Sequence, residues 1–379
     1  MKRKQSVVLA CALLAAQPIF AGDPVTPQSA AGALGNILSL QPRLVWEQGL
    51  LDYYAGRYSH IVHSRIASVG GVGALGVLPV DFQCLGGGTL RLTAVSIPLR
   101  IVSARFIDCD TPLEDLHYTA NGTLRLAYAS FERDAPRFSL VQFGSSAEDF
   151  SESVQWDPSR QPQLPPNRYT LNLSYMGALP RWDSNVIAQN GSFQYLVNGR
   201  FGIAEYSIYA GDGSSSVYLA KSAISARQIV TEGYVRLTDA DNPQDITVRT
   251  YRSGSFDFRG PENIASQAFA INYRFENFRM GLFDNWQAGT QARSYDGEIH
   301  VSDSVAACAN GEFEIETEQR LEQPQFDGSF GFTAGHVRVQ DKASIRFSAE
   351  YPGAVIDVGR STVALADGAE LVAFGGCSY

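Results

Sequence analysis

From about Val77 onward, apolar and polar residues alternate with a period of two. Between Arg168 and Tyr175 the apolar set Tyr169, Leu171, Leu173 and Tyr175 alternates with Arg168, Thr170, Asn172 and Ser174. Phe269, Ile271, Tyr273 and Phe275 alternate in the same way with Ala270, Asn272, Arg274 and Glu276. Successive side chains of a strand point to opposite faces, so the pattern predicts antiparallel strands with one buried and one wet face. Glu312, Glu314, Glu316 and Glu318 share such a face opposite Phe313 and Ile315, which reads as solvation of a sheet rather than paired-acid catalysis.

Six Asn-Gly or Asp-Gly pairs punctuate the alternation: Asn121-Gly122, Asn190-Gly191, Asn198-Gly199, Asp296-Gly297, Asn310-Gly311 and Asp327-Gly328. Both central residues of a type I′ turn need positive φ, which these residues tolerate, so each pair is expected to close a hairpin. Weak repetition accompanies them. Gly-Thr-Leu-Arg-Leu occurs at 88–92 and 122–126, and the stretch starting Gly233-Tyr234-Val235-Arg236 echoes Gly335-His336-Val337-Arg338. One helix is expected, from Pro42 to a cap at Gly56, with Leu44, Val45, Gln48 and Leu51 at helical spacing. The expectation is an all-β chain, an antiparallel β-sandwich or open β-roll in two related modules with one short N-terminal helix. Its parts are a signal peptide at 1–21, an arm and helix at 22–76, a first β module at 77–157, a proline-rich linker or loop at 158–166, and a larger β module at 167–379.

The N-terminus carries a charged Lys2-Arg3-Lys4, an apolar run from Val7 to Ala16 and a small-residue exit at Ala21, the pattern of an export signal. The run is too short to cross a bilayer as a helix, which takes roughly 20 residues. Cys11 sits in a lipoprotein-like string, but the apolar run continues past it. Removal of 1–21 takes away three positive charges and no negative ones, moving the formal charge from −9 to −12. Such a chain repels nucleic acid and anionic lipid. The expected location is beyond the inner membrane: periplasm, cell surface or medium. There, Cys84, Cys109, Cys308 and Cys377 suggest two disulfides. Of three connectivities, Cys84 with Cys109 and Cys308 with Cys377 is favoured.

Motifs for chemistry fail on context. Gly71-Val72-Gly73-Ala74-Leu75-Gly76 matches a dinucleotide-binding string, but Pro79 soon follows and no acid occurs between Asp81 and Asp108, so it reads as a glycine turn. His60 and His63 lack the Glu of a zinc helix and are expected to be exposed beyond the helix. Asp239, Asp241 and Asp245 resemble a calcium loop, yet Pro243 and Gln244 stand where a ligand and a glycine are needed. No metal, cofactor or catalytic residue is expected. Trp156, Trp182 and Trp286 each neighbour a short polar residue, an arrangement that could stack on a sugar.

The start Cys84-Leu85-Gly86-Gly87, the string Phe106-Ile107-Asp108-Cys109, Asn121-Gly122 and the repeated Gly-x-Val-Arg strands resemble uncharacterised exported β-rich proteins of Gram-negative bacteria. The resemblance covers residues 77–130 and 230–379 and implies compartment and fold without an activity. The function expected is that of an exported, non-enzymatic structural or binding protein with an envelope protein or polysaccharide as partner. The alternatives are an outer-membrane β-barrel pore and a carbohydrate-binding surface protein. Against the pore, the alternation at 168–175 breaks at Gly177 and Pro180, short of the 9 to 11 residues of a spanning strand.

Overall fold

The computed structural model describes residues 25–76, 78–112, 116–133, 136–156, 167–178, 191–209, 215–218, 222–237, 244–259, 270–303, 310–324 and 330–376. A long helix, α1 (Pro27–Ser68), opens the chain and a short one, α2 (Gly368–Phe374), closes it. Between them run β1 (Val80–Gln83), β2 (Gly87–Ser96), β3 (Ile101–Asp110), β4 (Leu116–Ser130), β5 (Arg137–Phe143) and β6 (Phe150–Trp156). Next come β7 (Asn167–Ala178), β8 (Gly191–Tyr209), β9 (Ser215–Tyr218), β10 (Ser222–Arg236), β11 (Gln244–Arg259) and β12 (Ala270–Asn285). The last six are β13 (Thr290–Asp303), β14 (Gly311–Pro324), β15 (Ala334–Val339), β16 (Ala343–Ser348), β17 (Ala354–Val358) and β18 (Ser361–Leu365).

All pairings are antiparallel, and almost all join neighbours in sequence. β10 passes β9 to pair with β8, and β6 fits between β4 and β7. The protein is thus all-β, a meander rolled around α1. Strands on either side of residues 157–166, which lie outside the described residues, pair through Phe150 and Leu171.

The helix differs from expectation at both ends. Thr26 caps it, accepting from Ser29 N at 3.1 Å while Ser29 Oγ accepts from Thr26 N at 2.9 Å, and Pro27 occupies the first turn. Pro42 and Gly56 are interior positions. The stretch that reads as a small, polar arm is helical because it is enclosed: Ala30, Ala31, Ala33, Leu34, Ile37 and Leu38 are all buried. A helix buried on every side loses the amphipathic period by which helices are recognised. Small residues let neighbours approach; a Cβ on Gly375, which ends α2, would lie 2.5 Å from Gly32 N. His60 and His63 lie within α1, and His63 is buried rather than exposed, with Nε2 at 2.9 Å from Arg133 O.

Three of the expected hairpin pairs sit inside long strands. Asn121-Gly122 is in β4, Asn198-Gly199 in β8 and Asp296-Gly297 in β13. The glycines do take positive φ, of 115°, 131° and 106°. They serve β-bulges instead of turns. The register shifts between Phe106 and Cys109, between Ala226 and Ile229, and between Glu276 and Arg279, where Asp108, Gln228 and Asn277 hold φ of 46°, 48° and 50°. A bulge leaves a backbone group unpaired and bends its strand. The Asn or Asp before each glycine accepts an N–H from a neighbouring irregular strand: Asp108 N to Asn121 Oδ1 at 2.8 Å, Gln228 N to Asn198 Oδ1 at 3.3 Å, and Thr317 N to Asp296 Oδ1 at 2.9 Å. The repeated Gly-Thr-Leu-Arg-Leu places Gly88 and Gly122 on the strands flanking the Asp108 bulge. Of the other pairs, Gly191 and Gly311 begin β8 and β14, while Asn190 and Asp327-Gly328 lie outside the described residues.

Bulges also hid strand length. β7 and β12 span 12 and 16 residues, so the shortness argued against membrane-spanning strands does not hold. Face chemistry is more informative. In β12, Tyr273, Phe275, Phe278 and Met280 are buried while Arg274, Glu276 and Arg279 are exposed. In β14, Phe313 and Ile315 are buried while Glu312, Glu314 and Glu316 are exposed. The buried faces join the residues of α1 in one core.

The bulge assignment is testable at Gly199, where a Cβ would stand 2.8 Å from Leu173 Cα on β7. Gly199→Val should cost at least about 1 kcal/mol, since valine at positive φ is a steric outlier. Chemical denaturation checks it; a midpoint equal to wild type would remove the bulge's role.

Candidate binding surface

Cys84 and Cys109 form a disulfide, as expected. It ties the loop before β2 to the Asp108 bulge and closes a separation of 25 residues, worth about 3.5 kcal/mol in the chain-entropy estimate. Cys308, Cys377, Trp182, Asp239 and Asp241 lie outside the described residues, as does the Trp156 side chain. Among the described residues no cluster of three or more His, Cys, Asp or Glu could hold a metal. Asp245 meets Trp286 instead: the indole Nε1 donates to Asp245 Oδ2 at 2.8 Å, with Trp286 51% exposed at the β12–β13 turn. The carboxylate fixes the ring by its edge and leaves it accessible.

On the outward face, β8, β10, β11, β12 and β13 enclose a shallow groove of about 760 Å³. Its wall residues include Gln194, Glu232, Tyr234, Thr250, Arg252 and Arg279. Pairing puts Glu232 beside Gln194 and Thr250, and Thr250 beside Arg279, so these side chains form one row across the sheet. Arg252 pairs with Glu232 and donates to Asn277 Oδ1 at 3.1 Å, which anchors it to a bulge residue. Asp296 opposes Arg279 in register but turns a carboxylate oxygen to Thr317 N. Arg279 makes no ion pair among the described residues, and Tyr234, two strands away in the same lining, is 38% exposed. A free guanidinium, an accessible phenol and neutral donors can hold a polar ligand lying along the row.

Next to the groove, Ile246, Val248 and Phe283 form a small apolar cluster on the same outward face. It is not left bare: the Arg320 guanidinium covers the Phe283 ring at 3.6 Å from its centroid. Farther across, Glu298 faces Glu276 and Glu314. A hydrogen bond with Glu312, some burial and the surrounding carboxylates push its pKa up to about 7.

Two polar clusters join α1 to the sheet from within, and neither is visible in sequence. Asp52 on α1 is buried and bonded to Arg249 of β11 (Nη2 to Oδ2, 3.0 Å) and to the Tyr195 hydroxyl of β8 (3.1 Å to Oδ1). Arg249 Nη1 also donates to the Tyr195 oxygen at 2.9 Å. Burial acts against the guanidinium's charge, but the Tyr195 and Asp52 oxygens outweigh it and raise the pKa. Glu152 of β6 accepts from Tyr54 at 2.9 Å, from Tyr58 and from Arg57 at 3.4 Å. Burial pushes the Glu152 carboxyl up, with Arg57 and both phenols opposing it. These groups are saturated by one another and fasten the helix; they have no open side for a substrate.

No family model, no curated protein and no solved structure matches the chain.

Breaking a buried pair on one side leaves an uncompensated charge, at a cost of about 3–5 kcal/mol. Arg249→Leu should lose that much stability in equilibrium unfolding. Adding Asp52→Leu should restore part of it, and a double variant no more stable than the single one would show that Asp52 is not the charge Arg249 neutralises.

Proposed function

We propose that this chain is an exported, non-enzymatic binding protein of the cell envelope that works as a water-soluble roll. The observation that carries the reading is the division of its faces. Large aromatic side chains such as Tyr58, Phe106, Phe150 and Phe256 are consumed in packing between sheet and helix. Arg274, Glu276, Arg279, Glu312 and Glu314 face outward. A pore in lipid needs the reverse, an outward apolar band about 25 Å tall. No helix among the described residues is long and apolar enough to cross a membrane. The Cys84–Cys109 disulfide supports an oxidising compartment. The expressed chain should be recovered, as mature protein, in the soluble periplasmic or secreted fraction without detergent. Recovery only in the outer membrane, with a band that shifts on heating, would overturn the reading and promote the pore.

A saccharide is the ligand class favoured by the outward groove, because Tyr234 offers an accessible ring in a lining that also holds Thr250, Gln194 and Arg279. Binding to an array of bacterial envelope polysaccharides is the expected result, lost in Tyr234→Ala without change in thermal midpoint. An array with no bound glycan at any position would reject the saccharide.

A further inference from the structure

Apart from the Ile246, Val248 and Phe283 cluster, the exposed apolar side chains concentrate toward one end of the roll. In an antiparallel meander the turns alternate between two ends, and the β2–β3 turn lies at the same end as the start of β5, the end of β7 and the C-terminus of α1. Leu99 is 68% exposed in that turn, Ile97 43%, and Val95 just before it 53%. Leu78 and Val69, before β1 and after α1, are exposed beside them. Behind this tip a single outward row crosses the neighbouring strands in register: Ile101, Ala127, Leu140 and Met176. The next row back, Ser103, Arg125, Gln142, Ser174 and Asn198, is polar again. The apolar zone is therefore a tip and one row deep, a depth suited to an interface and far short of a spanning band.

Charge immediately around the β2–β3 tip opposes that of the whole chain. Arg65, Arg100, Arg133 and Arg137 surround the tip and form no ion pair among the described residues, with Glu132 as the acid among them. The crowded carboxylates Glu276, Glu298, Glu312 and Glu314 gather toward the opposite end, where β13 passes to β14. We infer that the apolar, arginine-ringed end of the roll docks on an anionic lipid bilayer, inserting Ile97 and Leu99 among the acyl chains' upper carbons while the arginines meet the headgroup phosphates. The net charge, −12 once residues 1–21 are removed, does not oppose this at the tip, because screening confines each charge's reach to about 8–10 Å.

The test is flotation of purified protein with preformed vesicles of phosphatidylcholine, with and without phosphatidylglycerol. Binding is expected with phosphatidylglycerol, reversed by high salt, and weak without it. Leu99→Asp should lower binding at least about tenfold, and each of Arg100→Glu and Arg137→Glu by about fivefold or more, following the worth of one basic residue near such a surface. These positions are exposed, so thermal midpoints should stay within a degree or two of wild type. No binding by folded wild type would overturn the inference, as would equal binding to both vesicle types. Self-association lost in Leu99→Asp, in place of vesicle binding, would assign the tip to a second copy of the chain. Salt-reversible docking is independent of the soluble reading's own test, since a barrel inserted in lipid would not be released by salt.

Discussion

A sheet of strands up to 19 residues long has to bend around a helix, and the backbone groups displaced by that bending must find partners. The Asn-Gly and Asp-Gly pairs meet both demands at once. Glycine lets the neighbouring backbone come within 2.8 Å of where a Cβ would stand at Gly199, and the preceding Asn198 oxygen takes the N–H that the bulge at Gln228 would otherwise orphan. Asn121 and Gly122 do the same for Asp108. The disulfide ends one residue beyond that bulge, so a covalent link and a hydrogen-bond device hold the same corner.

Curvature provides an interior, and α1 fills it. Its contacts with the sheet come from several directions: Tyr58 packs on Phe106, Phe143 and Phe150, whereas Asp52 reaches β8 and β11. Apolar packing of this kind tolerates sliding and rotation. The two buried carboxylates do not, because each is satisfied only in one register, and displacing either would strand a charge in the core. Packing thus supplies most of the stabilisation, and the Asp52 and Glu152 clusters select the seat.

Much of this was legible in the sequence, at the level where local chemistry dictates the outcome. Period-two alternation located the strands, and Cys84 with Cys109 followed from export context and spacing. At Asn121-Gly122, Asn198-Gly199 and Asp296-Gly297 the glycine alone takes the expected positive φ and the pair closes no turn, since a glycine's positive φ serves a hairpin or a bulge and only the neighbouring strand decides. Helix α1 was read too short because enclosure on all sides erased its period. The Asp52–Arg249 pair spans 197 positions and the Tyr195–Asp52 bond 143, distances at which no sequence pattern links the partners. Trp286 is an exposed ring at a turn, whereas the outward groove left no mark in the sequence, because its members come from separate strands and share no motif.

Large exposed apolar side chains are unevenly placed, and the meander's geometry makes that informative. Trp286 stands in the β12–β13 turn and Tyr351, 81% exposed, in the turn after β16. Counting turns in an antiparallel sheet puts both at the end that carries Ile97 and Leu99. Leu85 and Ile107 lie at the other end, and single exposed apolar residues need no explanation, but the larger group at one end does. Strand rims are also where a sheet most easily displays side chains without disturbing its pairing. A roll standing on this end would hold the groove formed by Tyr234, Thr250 and Arg279 on its flank, close to the surface it rests on. Both surfaces then serve one arrangement: the end fixes orientation, and the flank meets polar material at the surface of the envelope.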